Sequence, residues 1–194
     1  MRIGVLALQG DFREHRISLE KLGADVTEVR LPEHLEGLQG LIIPGGESTA
    51  IGKLMVAYGL LEPIRAFGKT QAVWGTCAGA ILLAKEIGRD QPLLGLMDME
   101  IKRNAFGRQI DSFEIEITVS FLQSPEVPYH LTFIRGPIIT RVWGAAQTML
   151  SLPDGRAIAA QQGKLFATSF HPELTNDLRF HQYFLELAKS ESTG

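Results

Sequence analysis

"VWGTCAGAI", residues 73–81, joins an apolar stretch directly to a helical pattern, with the only cysteine of the chain, Cys77, at the junction. A buried strand that turns abruptly into a helix is typical of α/β proteins with a parallel sheet. Gly75 and Gly79 flank the cysteine, and such a tight turn leaves no room for a Cβ where the two backbones approach. The stretch therefore predicts an α/β fold with a thiol at the amino end of a helix.

The first half of the chain repeats this alternation of strand and helix. Near-continuous apolar runs predict buried strands at residues 2–8, 24–29 and 40–46. Asp11 and Glu14 have the spacing of a capping box that opens a helix. A further helix is expected to continue from Ala78 to residue 87. This half predicts a mostly parallel central sheet flanked by helices.

The second half changes character after Gly95. The stretches at 97–104 and 113–121 alternate apolar and polar residues, which favours additional antiparallel strands. A last helix is expected from about Asn176 to Ala188, with Thr175 as its cap. We expect all of these elements to form a single domain over residues 1–194.

Composition excludes several classes of function. The chain has 194 residues, 45% hydrophobic and 21% charged, with a formal net charge of −3, as in ordinary globular proteins. It has no basic patch for nucleic acid and no apolar run long enough to cross a membrane. A lone cysteine allows neither an intrachain disulfide nor a thiolate-rich metal site, so we expect no metal and a cytoplasmic location.

The setting of Cys77 favours a reactive thiol. A nucleophile on a strand-to-helix turn forms a nucleophile elbow. The helix dipole and the free N–H groups there stabilise the thiolate, and the N–H of Ala78 can stabilise an oxyanion. The alternative is a small buried side chain without chemistry, which is common for free cysteines. A catalytic cysteine also needs a base.

His171 is the best candidate for that base. It follows the apolar stretch 165–170, so its ring is expected at the carboxyl edge of the sheet, where Cys77 also lies. Glu173, two residues on and beyond a proline, can orient the imidazole. The remaining histidines are interpreted as surface or packing residues: His15, His34, His130 and His181.

A glycine turn at residues 41–53, "LIIPGGESTAIGK", also follows an apolar strand. Its backbone N–H groups can stabilise an anion or an oxyanion. A phosphate-binding loop is the competing interpretation, but the spacing of Gly45, Gly46 and Lys53 does not match that motif.

Three motifs, in this order, carry a resemblance: "PGGES" (44–48), "GTCAG" (75–79) and "SFHPE" (169–173). The set resembles the class I, triad-type glutamine amidotransferases, a family with a flavodoxin-like α/β fold. The resemblance implies a glutaminase that uses a triad of Cys, His and Glu. The implied glutaminase reaction requires no cofactor.

Three further stretches narrow the resemblance: "LQGDFREH" (8–15), "EIKRNAFGRQIDSFE" (100–114) and "FIRGP" (133–137). They are similar to the glutaminase subunits of pyridoxal 5'-phosphate synthase, which act in vitamin B6 biosynthesis. Gly136 and Ala105 depart from that pattern, where alanine and serine are common.

The resemblance also implies roles for individual residues. Cys77 attacks L-glutamine to give a glutamyl thioester, and His171, oriented by Glu173, moves the protons. The oxyanion hole is formed by Gly46 and Ala78. Glutamine is bound by Gly46, Glu47, Ser48, Arg103, Ile134 and Arg135. Gln9 is associated with contact to the synthase subunit, which would receive the ammonia, and with organising the oxyanion hole.

Other functions stay open on the sequence alone. The chain could serve another pathway, for example as the glutaminase subunit of imidazole glycerol phosphate synthase. It could also be a non-catalytic binding module that keeps the fold, although the intact Cys77, His171 and Glu173 count against this. A cysteine protease is conceivable, but the short glycine loops offer no peptide groove.

Overall fold

A ten-stranded mixed sheet forms the centre of the computed structural model, which describes residues 1–103 and 112–190. Its strands are β1 (Arg2–Leu6), β2 (Asp25–Val29), β3 (Gly40–Ile43), β4 (Ala72–Thr76), β5 (Ala84–Glu86), β6 (Met97–Lys102), β9 (Ile138–Val142), β10 (Gln147–Ser151), β11 (Ala157–Gln162) and β12 (Leu165–Thr168). A separate antiparallel pair consists of β7 (Ser112–Ile117) and β8 (Tyr129–Ile134). The α-helices are α1 (Phe12–Lys21), α2 (Ser48–Ala57), α3 (Leu61–Phe67), α4 (Ala78–Leu83) and α5 (Arg179–Lys189), and 3₁₀ turns lie at Pro32–Leu35 and Pro172–Leu174.

The parallel part of the sheet has the strand order β2-β1-β3-β4-β12. Beyond β12 the sheet continues through the antiparallel strands β11, β9 and β6, and β10 also pairs with β11. Parallel strands place their carboxyl ends at one edge, where ligands of open α/β sheets bind. The segments that follow β1, β3, β4 and β12 therefore meet at that edge.

Successive side chains of the central strands enter two different cores. Ile42, Trp74 and Phe166 pack with buried residues of α1 and α5 on one face. Leu41 and Val73 pack with residues of α2, α3 and α4 on the other. Because both faces are covered, these strands are apolar along their whole length. Within the described ranges, no helix is both long enough and apolar enough to cross a membrane.

Two helix boundaries differ from the expectation. α4 ends at Leu83 because Ala84–Glu86 forms a strand that pairs with β6, so the helix does not continue to residue 87. α5 begins at Arg179 rather than near residue 176. Thr175 does not cap it, and Asp177 Oδ1 instead accepts a hydrogen bond from the backbone N–H of Arg179 at 3.1 Å.

The predicted capping box at the start of α1 is also wrong. Asp11 precedes the helix, but its side chain makes no capping hydrogen bond to the described residues. Its Oδ2 lies 3.5 Å from Nδ1 of His171, across the carboxyl edge of the sheet. The carboxylate therefore faces the candidate site.

Candidate active site

A cleft of about 450 Å³ opens at the carboxyl edge of the parallel strands. All the candidate site residues named from the sequence line it, except Glu173, which is buried behind His171. The lining residues are Gln9, Asp11, Gly46, Glu47, Ser48, Cys77, Ala78, Ile81, Arg103, Ile134, Arg135 and His171. Strand ends far apart in sequence thus bring the three motifs to one place.

Cys77 has the backbone geometry of a nucleophile elbow. Its φ of 47° and ψ of −102° lie in a region that non-glycine residues rarely adopt. A Cβ at Gly79 would overlap the carbonyl of Ile43, and one at Gly75 would overlap the backbone of Gly79. The turn therefore needs both glycines, and backbone strain of this kind is concentrated at functional sites.

His171 and Glu173 form a buried hydrogen-bonded pair. Nδ1 of His171 lies 2.7 Å from Oε1 of Glu173. With Nδ1 bound to Glu173, Nε2 is the ring nitrogen available to interact with Cys77. Burial lowers the pKa of His171, but hydrogen bonds to Cys77 and Glu173 outweigh it and raise the pKa to about 10. This arrangement favours a protonated imidazole beside the thiol of Cys77 near neutral pH.

Two histidines interpreted as packing or surface residues lie directly behind this pair. His15 Nε2 is 3.3 Å from Oε2 of Glu173, and His15 Nδ1 is 2.9 Å from Nε2 of His181. Both rings are fully buried. Sequence reasoning missed this contact, although one signal was available: Asp11 and His15 are four residues apart at the start of a helix and therefore share a face.

The loop after β3 is held against the end of β1. Gln9 Oε1 accepts a hydrogen bond from the backbone N–H of Glu47 at 2.8 Å. Gly46 has a φ of +153°, and a Cβ there would lie only 2.6 Å from Gln9 Oε1. A Cβ at Gly45 would lie 2.6 Å from Cε1 of His171. The glycines thus allow the loop to pack between Gln9 and the imidazole of His171.

Glu47 and Arg103 pair with each other at the wall of the cleft. Glu47 accepts hydrogen bonds from Thr49 N at 3.1 Å and Ala50 N at 2.8 Å, which caps α2. Arg103 Nη2 lies 3.1 Å from Glu47 Oε1. Slight burial raises the pKa of Glu47, but these hydrogen bonds outweigh it and lower the pKa. Glu47 therefore stays ionised beside the cleft.

Ile134 and Arg135, at the end of β8, also line the cleft, and both are exposed. Arg135 has a φ of 46°, a second strained position at the cleft. Residues 104–111 of the "EIKRNAFGRQIDSFE" stretch, including Ala105, lie outside the described residues.

Asp11, His171 and Glu173 offer ligand atoms within 4.8 Å of one another. A cation bound there would compete for Nδ1 of His171, which Glu173 already holds. The donor set therefore suits proton transfer better than metal binding.

Comparisons with known proteins agree on the family. The model of the SNO glutamine amidotransferase family matches residues 5–190. A pyridoxal 5'-phosphate synthase subunit PdxT from Herpetosiphon aurantiacus is 57% identical over 192 residues, covering 96% of this chain and all of that protein. Proteins of the same name from Moorella thermoacetica and Deinococcus radiodurans are 54% and 52% identical, with 96% and 97% of this chain covered and 99% and 97% of theirs.

Solved structures confirm the predicted α/β fold. A crystal structure described as a glutamine amidotransferase superimposes with a TM-score of 0.90 at 49% identity, covering 97% of this chain and 99% of that one. PurLQS from Thermotoga maritima shares the fold, with a TM-score of 0.67 at 17% identity over 97% of this chain and 98% of that one. With a family match that extends over most of its length, the chain belongs to the SNO glutamine amidotransferase family.

Proposed function

We propose that this chain is the glutaminase subunit of pyridoxal 5'-phosphate synthase and hydrolyses L-glutamine to L-glutamate and ammonia. The observation that carries the proposal is the buried chain of contacts from Glu173 through His171 to Cys77 at the elbow. The names of relatives more than 50% identical over nearly the whole chain support the choice of pathway.

The first half-reaction forms a thioester. The thiolate of Cys77 attacks the carboxamide carbon of glutamine, and the negative charge develops on the carbonyl oxygen. Backbone N–H groups of Ala78 and Gly46 are the proposed oxyanion hole, since both residues line the cleft beside Cys77. His171 gives its proton to the leaving nitrogen as the C–N bond breaks, which releases ammonia and leaves a glutamyl thioester.

The second half-reaction uses the same residues in reverse. His171, now neutral, takes a proton from water as the water oxygen attacks the thioester carbon. The C–S bond breaks, glutamate leaves, and the thiolate of Cys77 and the imidazolium of His171 are restored. Glu173 keeps the ring oriented and stabilises its charged form in both steps.

The charged ends of glutamine need complementary partners in the cleft. A guanidinium can bind the α-carboxylate, and Arg103 and Arg135 are the candidates. The ionised Glu47 is the candidate for the α-ammonium group. Ser48 and Ile134, which also line the cleft, are proposed to complete the binding site.

The ammonia is proposed to pass to a separate synthase subunit. Free ammonia is mostly protonated at neutral pH and is then not nucleophilic, so direct transfer between subunits is advantageous. Gln9 binds the Gly46–Glu47 loop and lies at the cleft. A partner that contacts Gln9 can therefore bring this loop into the conformation that forms the oxyanion hole. The isolated subunit is therefore expected to be nearly silent. A cytoplasmic location suits a nucleophile that must stay reduced.

The proposal is tested by measuring ammonia release from glutamine, first with the purified chain and then with a pyridoxal 5'-phosphate synthase subunit added. We expect strong stimulation by the partner and no release by Cys77→Ala under the same conditions, with glutamine binding largely retained. Full activity of the isolated chain would contradict the proposed activation. Absence of ammonia in both conditions would contradict the function itself.

A further inference from the structure

The catalytic carboxylate has one oxygen that the triad does not use. Oε1 of Glu173 binds His171, whereas Oε2 is buried and makes no hydrogen bond of standard geometry within the described residues. It faces His15 Nε2 at 3.3 Å, with both side chains completely inaccessible to solvent. A buried carboxylate oxygen needs a donor nearby to remain ionised.

His15 is neutral in this environment. Burial, followed by the charges of His181 and His171, lowers its pKa well below the ordinary value. Burial also lowers the pKa of His181 to about 3. Each of these rings therefore carries a single N–H, and the contacts determine which nitrogen holds it.

The hydrogen bonds favour one tautomer of each ring. If Nε2 of His181 donates to Nδ1 of His15, then His15 carries its proton on Nε2. That N–H donates to Oγ1 of Thr76 at 3.1 Å, and its positive end also lies 3.3 Å from Oε2 of Glu173 as an electrostatic contact. The opposite tautomer would turn a lone pair toward the carboxylate. The favoured assignment also leaves Nδ1 of His181 without a proton, and that atom has no partner within the described residues.

Packing fixes the planes of both rings. His15 and His181 each contact Trp74 edge-on, with ring centroids 5.6 Å and 5.1 Å apart. The titratable groups around Glu173 are Asp11 and His15 at α1, Tyr129 on β8, His171 in its own segment, and His181 on α5 behind His15. Of the two neutral histidines, His15 is the one whose ring nitrogen approaches a carboxylate oxygen of Glu173, at 3.3 Å, in the described part of the chain.

We infer that His15 is a positioning residue of the glutaminase reaction: its Nε2–H, fixed by His181, orients Glu173 and keeps it ionised against His171. This inference rests on the proposed function. His15 acts through Glu173 and does not line the cleft. Replacing it is therefore expected to lower kcat and to leave glutamine binding unchanged.

A matched pair of variants tests the role, assayed as ammonia release by the chain together with the synthase subunit. The amide nitrogen of glutamine can occupy the place of Nε2, whereas that of asparagine reaches only the place of Nδ1. We expect His15→Asn to lower kcat about tenfold or more, as loss of an orienting partner does at other sites, with KM within about twofold. We expect His15→Gln to recover most of the loss.

The pH profile separates positioning from packing. Without the N–H, the ionised form of Glu173 is less stable and its pKa rises, so the acid limb of kcat in His15→Asn should move to higher pH. Equal losses in both variants with an unmoved acid limb, or kcat within twofold of wild type in both, would overturn the inference.

The tautomer of His15 in the wild-type chain gives a readout that needs neither activity nor a variant. Long-range ¹H–¹⁵N correlation spectra of the imidazoles at neutral pH should show His15 protonated on Nε2. Protonation on Nδ1 would overturn the inference. If the wild-type complex released no ammonia, the proposed function would fail, while the tautomer would still decide whether His15 supports the carboxylate.

Discussion

Glu173 raises the pKa of the neighbouring His171 through a hydrogen bond and through its negative charge. Replacing it by glutamine keeps the shape but removes the negative charge, one of the interactions that raise the pKa of His171. The pKa of His171 should fall, so the imidazolium that favours a reactive Cys77 is present over a narrower pH range. We expect kcat to fall by about 10²–10⁴, as when the carboxylate of a serine triad is replaced.

The measurement for Glu173→Gln combines kcat with the rate at which iodoacetamide alkylates Cys77 at neutral pH. Both should decrease. Glu33→Gln, at an exposed carboxylate, serves as the control and should change neither rate. Unchanged alkylation in Glu173→Gln would show that the carboxylate does not influence the thiolate.

At the residue scale, the proposed triad is predictable from local spacing because each part is encoded within a few residues. His171 and Glu173 are separated by a single proline, and Cys77 is flanked by its own glycines. The role of His15 is not local in this sense. It depends on how α1 packs against the segment after β12, and that contact cannot be predicted from a single sequence.

The elbow between β4 and α4 depends on the smallest possible residue at Gly79. In Gly79→Ala the new Cβ would overlap the carbonyl oxygen of Ile43 on β3, so strand and helix must separate. We expect the free energy of unfolding to drop by about 3 kcal/mol, the upper end of the range for overpacking, because the overlap is with rigid backbone. Urea unfolding measures this loss.

Gly59→Ala is the matched control. Gly59 has a φ of 66°, and a Cβ at this position would meet no atom of the described residues within 4 Å. The substitution should therefore cost about 1 kcal/mol from backbone strain alone. Equal losses in the two variants would show that close approach is not what the elbow requires.

At the element scale, strands buried on both faces were predictable from continuous apolar runs. The end of α4 was not. "AGAILLAKEI" favours one helix, but Ala84–Glu86 pairs with β6, and the partner strand lies more than ten residues further along the chain. Pairing between distant segments overrides local propensity. Contact with a distant segment also decides the position of Asp11. Its carboxylate lies beside His171 in the cleft and does not form the capping box that its spacing suggested.

The whole molecule should lose stability in mild acid because two neutral histidines lie in its core. The pKa of His181 is lowered by burial to about 3, so the unfolded chain binds a proton below pH 6.5 that the folded chain does not. Stability therefore falls as pH decreases from neutral. For His181 this amounts to about 2 kcal/mol between pH 7 and pH 5.

Urea unfolding of the wild type and His181→Phe at pH 7 and pH 5 checks this. The variant should lose less stability between the two pH values than the wild type does. Phe184→Leu, a nearby core change without a titratable group, should lower stability equally at both. Identical pH dependence in the wild type and His181→Phe would rule out a neutral His181 in the folded state.

The central claim is covalent catalysis at Cys77, and interception of the thioester tests it most directly. Hydroxylamine, a better nucleophile than water, would be added to the chain with glutamine and the synthase subunit, and glutamyl hydroxamate would be measured. We predict hydroxamate formation by the wild type and none by Cys77→Ala. Ammonia release without any hydroxamate, or equal hydroxamate from Cys77→Ala, would contradict the account.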